Sequence, residues 1–394
     1  MIVNPIDTNS SECSEIFSTY SNDNFKNNII NRWNGSALCE ESTLHQISPY
    51  IGKMKSSMTS VIINSFTNKE ETIYDPFCGS GTVAFEAWAK GRNIIANDLS
   101  PYAYALTYAK LFPYLNIEDA MTELDSVAEL VHPLIHKVDL RRIPKWVRSF
   151  FHPDTLREII AWFLVLKLRQ SYFLLSCLLG ILHHQRPGFL SYPSSHTVPY
   201  LRTTKFPRDE YPELYQYRSV KERLEKKVVR MLKRVPLLDT GLHRECHTCD
   251  AVNFVPDQKV NAIITSPPYM RQLDYGRDNR LRLWFLGLQD WKSLDQIVSP
   301  PEKKFLNLFR SCLKLWLNVL ASNGICVLVL GDVHSRLYDM PLPDAIAHIA
   351  TQEIGGYSVL WKYNDPIPNI RRVRRGCCGT RTDTILVPRK NLGE

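Results

Sequence analysis

The 394-residue chain has no internal repeat and no low-complexity tract, which excludes a solenoid or a disordered linker. It also lacks an uninterrupted apolar run long enough to cross a bilayer. The most apolar stretch, 159–182 (IIAWFLVLKLRQSYFLLSCLLGIL), is divided by Lys167, Arg169 and Gln170 into two short pieces, expected as one or two buried helices. The first residues, MIVNPIDTNSSECSEIF, carry neither a basic segment nor an apolar one, so a secretory signal is not expected. With the ten cysteines set mostly in apolar or catalytic-looking stretches, this implies a reduced, cytoplasmic setting and no membrane. What the chain does have is a 44% hydrophobic composition, enough for one large or two ordinary domains. A formal charge of +8 would attract a phosphate-rich partner, although a mildly basic soluble enzyme would carry the same balance.

Residues 1–40, rich in Asn and Ser, read as a loosely ordered lead-in. The pattern IGKMKSSMTSVIINSF (51–66) predicts a helix with Met54, Met58, Ile62 and Phe66 on one face. A short strand follows in ETIYDPF, then the loop CGSGT, a helix in VAFEAWAKG ended by Gly91, and a buried strand, NIIAND, stopping at Asp98. Strand, glycine loop, helix and strand with a terminal acid form the first half of a doubly wound nucleotide-binding sheet. The alternation then fails. Residues 120–239 are mainly helical, broken by a proline-rich loop (186–212) that a basic helix, KERLEKKVVRMLKR (221–234), follows. Strands resume near 246–250, in VNAIIT, in GICVLVLGD and in DTILVPR. The expected fold is therefore α/β: one sheet built from 41–119 and 240–394, with 120–239 as a large helical insertion.

In DPFCGSGT (75–82), Gly79 and Gly81 allow a tight turn and close approach of backbone to a ligand, with the N–H groups of the next helix facing outward. Asp98 stands where a ribose hydroxyl pair would be held, a geometry that suits either a dinucleotide or S-adenosylmethionine. The second motif, Thr265-Ser266-Pro267-Pro268-Tyr269, directly follows an apolar strand. Two prolines without N–H groups fix a rigid turn, and the tyrosine adds a ring on which a flat base can stack.

Together the two motifs resemble the S-adenosylmethionine-dependent DNA methyltransferases that modify exocyclic amino groups, and the serine in the second resembles the N4-cytosine branch most. The resemblance spans 44–116 and 243–390 and implies a Rossmann-like methyltransferase sheet. It implies that Asp75, Phe77, Cys78, Gly79, Ser80, Gly81 and Thr82 wrap the methionine part of S-adenosyl-L-methionine. Asp98, with Leu99 and Ser100, would hold the ribose, and Asp250, with Ala251, the adenine amino group. Pro49 and Tyr50, in HQISPY, resemble the family's additional N-terminal cofactor motif, and Thr265 adjoins the catalytic loop Ser266, Pro267, Pro268 and Tyr269. On this resemblance the Ser266 hydroxyl and Pro267 carbonyl would accept from the two N–H bonds of cytosine N4 and favour a pyramidal, nucleophilic nitrogen. A C5-cytosine enzyme would need a nucleophilic cysteine, usually after proline, and the chain contains no Pro-Cys dipeptide.

Double-stranded DNA is thus the expected partner, with a cognate restriction nuclease as a further candidate. Arg371, Arg372, Arg374, Arg375 and Arg381 are the candidate backbone contacts, together with the 221–234 helix. Recognition of sequence falls to the insertion or to 271–310, and the proline-rich loop and basic helix favour the insertion. No metal is expected: His243, Cys246, His247 and Cys249 have ligand types but overlap the strand leading to Asp250. His183 and His184 read as a helix-end pair. Two other readings stay open, an N6-adenine DNA or RNA base methyltransferase, and a nucleic-acid-binding protein that has lost catalysis.

Overall fold

Seven strands make the main sheet of this computed structural model, which describes residues 41–196, 198–268, 270, 273–367 and 380–391, and the central ones carry apolar side chains on both faces. The lead-in expected at 1–40 lies outside the described residues. The strands are β1 (Thr72–Asp75), β2 (Asn93–Asn97), β3 (Arg244–His247), β4 (Val260–Thr265), β5 (Leu320–Gly331), β6 (Tyr357–Pro366) and β7 (Thr382–Lys390). They lie in the order β3-β2-β1-β4-β5-β7-β6, all parallel except β7. Period-two alternation divides their side chains between two cores. Ile73, Ile94, Ala262, Ile264 and Val327 enter one, and Tyr74, Ile95, Ile263, Cys326 and Leu328 enter the other. Strands covered on both faces read as near-continuous apolar runs, which is why β1 and β4 were legible.

The first face is covered by α1 (Ser56–Phe66), α2 (Thr82–Ala89) and α3 (Pro101–Leu111). The insertion thickens this same face: α4 (Ile117–Ile135), α5 (Pro153–Leu168), α6 (Tyr172–Ile181) and α7 (Val220–Leu232) bring Val127, Trp162, Leu178 and Val228 into the cluster that holds Ile73 and Ala87. The apolar stretch 159–182 is accordingly the end of α5 and all of α6, and no helix among the described residues is long and apolar enough to cross a membrane. After β4 come α8 (Tyr275–Phe285), α9 (Trp291–Val298), α10 (Glu302–Val319) and α11 (Leu342–His348). Phe305, Phe309 and Trp316 of α10, with Leu342 and Ile346 of α11, fill the second core.

The expected doubly wound α/β sheet is present, and two expectations need correction. The helix expected from residue 51 begins at Ser56, because Gly52 takes a left-handed φ of 77° and Lys55 is extended. A Cβ at Gly52 would meet Leu273 Cδ1 at 2.8 Å, and Met54 lies in the irregular segment before the helix instead of on it. Strand β6 was not expected at all. It is one of the two edge strands, a bulge between Val359 and Trp361 breaks its alternation, and it ends in polar residues and Pro366.

Chain order reverses between β1 and β4, so a crevice opens at the carboxyl ends of these strands, where Asp75, Asn97 and Thr265 lie.

Candidate cofactor and catalytic cleft

Beyond β1 the chain turns tightly: Gly81 N–H donates to Cys78 O at 2.7 Å, and Cys78 N–H to Asn97 O at 2.9 Å. Gly79 and Gly81 take φ of 51° and 72°, and Gly81 caps α2, which aims the helix N-terminus at the crevice. Only glycine fits at 81, where a Cβ would lie 2.7 Å from Thr107 Oγ1 and 2.8 Å from Thr107 Cα. At 79 the nearest atoms to a Cβ belong to the Tyr50 side chain, at 3.3 Å and beyond.

Asp98 holds this loop. Its carboxylate accepts from Gly79 N–H at 2.8 Å and Ser100 N–H at 2.9 Å. Burial pushes its pKa up to about 6, and these two donors pull against that shift. Asn97, which sequence reasoning missed, is fully buried and pairs with the backbone of Cys249 in both directions, at 3.0 and 3.1 Å, so that the turn carrying Asp250 sits beside the glycine loop. Asp250 Oδ1 in turn accepts from Val252 N–H at 3.2 Å.

These elements enclose an open cleft of about 880 Å³, solvent mouth included. Of the residues singled out from the sequence, Tyr50, Asp75, Phe77, Cys78, Gly79, Ser80 and Thr82 line it. So do Asp98, Leu99, Asp250 and Ala251 and, from the second motif, Ser266 and Pro268. Pro49, Gly81, Ser100, Thr265 and Pro267 adjoin lining residues without lining the cleft themselves. Pro49 O accepts from the Tyr102 hydroxyl at 2.6 Å, and Thr265 Oγ1 donates to Asp75 Oδ1 at 2.7 Å. Tyr269 lies outside the described residues. The lining also includes residues the motifs did not flag: Gly52, Lys53 and Met54 on one side, and Ile297, Val298 and Leu308 on the other. Tyr275, from the aromatic and arginine-rich segment after the catalytic loop, lines it too, with its ring 6.2 Å from that of Tyr50. Hydrophobic residues of α9 and α10 give no local sign of facing a ligand, so no pattern in the sequence could have found them.

Among the described residues, three carboxylates, Asp75, Asp98 and Asp250, line this cleft with one lysine, Lys53, whose Nζ donates to His45 O at 3.0 Å. Such a wall suits a ligand that is cationic at one end and carries hydroxyl and amino groups elsewhere.

Residues 7–109 match the model of the N6/N4 DNA methylase family. Among curated relatives, the chain is 25% identical over 288 residues to the type II methyltransferase M.BsoBI of Geobacillus stearothermophilus, covering 64% of this chain and 54% of that protein. It is 34% identical over 71 residues to the type II methyltransferase M.MjaII of Methanocaldococcus jannaschii, covering 18% of this chain and 13% of that one. The chain therefore spans only part of the length of both relatives. TrmN of Thermus thermophilus superposes over 88% of this chain and 52% of its own at 11% identity and a TM-score of 0.33, a likeness too slight to bear on function.

The other expected site residues divide. Arg371, Arg372, Arg374 and Arg375 lie outside the described residues, while Arg381 stands at the start of β7, its N–H donating to Asp332 Oδ1 at 3.0 Å. Its carbonyl accepts from Ile367 N–H at 2.8 Å, so Arg381 lies at the end of the sheet where the parallel strands end. The basic helix is more of a packing element than expected. Lys227 is buried and donates to Gln46 O at 2.8 Å, and Lys221 pairs with Asp125 at 2.8 Å; Lys226, Arg230 and Lys233 remain exposed. Strand geometry separates the ligand types of HRECHTCD. His243 and His247 share one face, both held by Glu245 at 2.6 and 2.9 Å, whereas the Cys246 thiol points to Tyr104 O on the other. His183 is buried, with Nδ1 on Ser195 O at 3.0 Å, away from the cleft lining.

Proposed function

We propose that this chain is an S-adenosyl-L-methionine-dependent DNA methyltransferase acting on the N4 amino group of cytosine in duplex DNA, within a restriction-modification system. The observation that carries this reading is a shared cleft: Ser266 and Pro268 line the same crevice as Asp75, Gly79, Asp98 and Asp250. The carboxylate-lined cradle and the left-handed glycines fit S-adenosyl-L-methionine. When bound, that cofactor supplies an electrophilic methyl group on a sulfonium centre.

The chain's own residues do the rest. Asp75 and the glycine loop take the amino-acid end, Asp98 the ribose and Asp250 the adenine amino group. Ser266 and the Pro267 carbonyl accept from the N–H bonds of the target amine, so its lone pair localises toward the methyl group. Positioning supplies the catalysis, and no covalent enzyme intermediate is needed. The base leaves the duplex at a cost of a few kcal/mol, which phosphate contacts from Arg371, Arg372, Arg374, Arg375 and Arg381 offset. The insertion, 120–239, is the candidate recognition region. Its proline-rich loop abuts α8, the helix that leads out of the cleft, through Arg280 and Pro199 O.

The test is incubation of the protein with labelled S-adenosyl-L-methionine and duplex DNA, followed by digestion to nucleosides and mass spectrometry. N4-methylcytosine is expected. N6-methyladenine, or label on RNA alone, would replace the cytosine reading, and DNA binding without label would replace the enzymatic one.

A further inference from the structure

The two motifs are joined by a buried side-chain hydrogen bond. Thr265 is fully buried at the end of β4, and its Oγ1 donates to Asp75 Oδ1 at 2.7 Å, across the point where β1 and β4 diverge. The backbone register of that pair runs only through Ile73 with Ala262 and Tyr74 with Ile263, so this bond carries the pairing to the strand ends. Asp75 is itself 1% exposed and lines the cleft, and Phe77 N–H, at 3.3 Å, is the other donor to Oδ1. One residue beyond Thr265 is Ser266.

From this geometry we infer that Thr265 is a positioning residue, which holds the Asp75 carboxylate toward the cationic amino-acid end of the cofactor and sets the Ser266 loop against it. The inference deepens the reading above and rests on it for the identity of the ligand. Among the described residues, the Asp75 carboxyl accepts from Thr265 and interacts electrostatically with Asp98 beyond β2, the Cys78 thiol of the glycine loop and the Tyr74 hydroxyl. Among these Asp98 alone carries charge at neutral pH, and it is negative, so it adds to the burial that pushes Asp75 up to about 7. The Thr265 hydroxyl opposes that rise by donating to the ionised form.

The experiment measures S-adenosylhomocysteine binding by calorimetry from pH 6 to 8.5 for the wild type, Thr265→Val and Thr265→Ser. A parallel pH series of melting temperatures uses the unliganded proteins, with Asp75→Asn and the Thr265→Val/Asp75→Asn double variant. The ligand's ammonium pairs with ionised Asp75, so wild-type affinity rises with pH through about 7. Thr265→Val binds about tenfold more weakly at pH 7, with its midpoint moved to higher pH, and Thr265→Ser restores both. In the unliganded series, the extra loss of stability of Thr265→Val toward pH 8 vanishes in the Asp75→Asn background. An unchanged affinity and midpoint in Thr265→Val, or failure of Thr265→Ser to restore them, overturns the positioning role. A melting series that behaves as expected, in a wild type that binds no S-adenosylhomocysteine, overturns the functional reading and with it the role toward a cofactor, while the Thr265 to Asp75 bond stands.

Discussion

Gly79 and Gly81 sit two residues apart in one loop, and replacing each by alanine separates what the loop does for the fold from what it does for a ligand. Both have positive φ, so either alanine costs about 1 kcal/mol in backbone strain. At Gly81 the new Cβ would also stand 2.8 Å from Thr107 Cα, a backbone atom of α3 that cannot swing aside. The helices α2 and α3 must separate by several tenths of an ångström in a packed core, which adds about 1 to 3 kcal/mol. At Gly79 the neighbour is the Tyr50 ring at 3.3 Å, a side chain that lines the cleft and can move into it. Urea denaturation followed by circular dichroism should therefore show Gly81→Ala destabilised by about 2 to 4 kcal/mol and Gly79→Ala by about 1 kcal/mol. Calorimetry with S-adenosylhomocysteine should reverse the order per unit of stability lost, with Gly79→Ala losing affinity while nearly as stable as the wild type. Equal destabilisation by the two alanines would refute the packing argument, and undiminished binding by Gly79→Ala would refute the place given to Tyr50.

Other outcomes follow from the same geometry. Ser266→Ala should lower turnover by about tenfold or more while leaving cofactor affinity within about twofold, since its hydroxyl is assigned to the target amine; equal losses in both would make the loop a cofactor wall. Tyr269→Ala should show the same split in steady-state kinetics, as a base platform would. Replacing Arg371, Arg372, Arg374 and Arg375 together by alanine should weaken DNA binding at all sequences and flatten its dependence on salt by up to about one logarithmic unit for each phosphate no longer neutralised, measured by fluorescence anisotropy. Lys110 and Lys227 are buried, and desolvation lowers both to about 7. Their folded pKa lies below the unfolded one, so the unfolded chain holds more protons between about pH 7 and 10 and stability should rise with pH across that window. Thermal melts of Lys110→Met and Lys227→Met should show a smaller rise, and an unchanged slope would mean that neither lysine is desolvated in solution.

The sequence by itself determined the elements whose signals are local. A strand buried on both faces is a short apolar run wherever it pairs, so β1, β2, β4, β5 and β7 could be read directly, and Gly79 and Gly81 announced a tight turn because few other residues accept positive φ. Asp98 and Asp250 were legible as acids at strand ends, and both line the cleft. Tertiary structure decided what depends on a partner far along the chain. Thr265 reads as an ordinary strand terminus until Asp75 stands 2.7 Å away, and Asn97 reads as a neutral polar residue until the Cys249 backbone comes to meet it. The basic helix promised a charged surface, yet its Lys227 lies buried against Gln46 O because α7 packs on α6 and on the turn at Thr43–Gln46. Ile297, Val298 and Leu308, from α9 and α10, come to line the cleft beside the glycine loop only through the tertiary fold. Turn chemistry and side-chain period are written in neighbouring residues, whereas the environment of a carboxylate or a lysine is set by whatever the sheet order brings beside it.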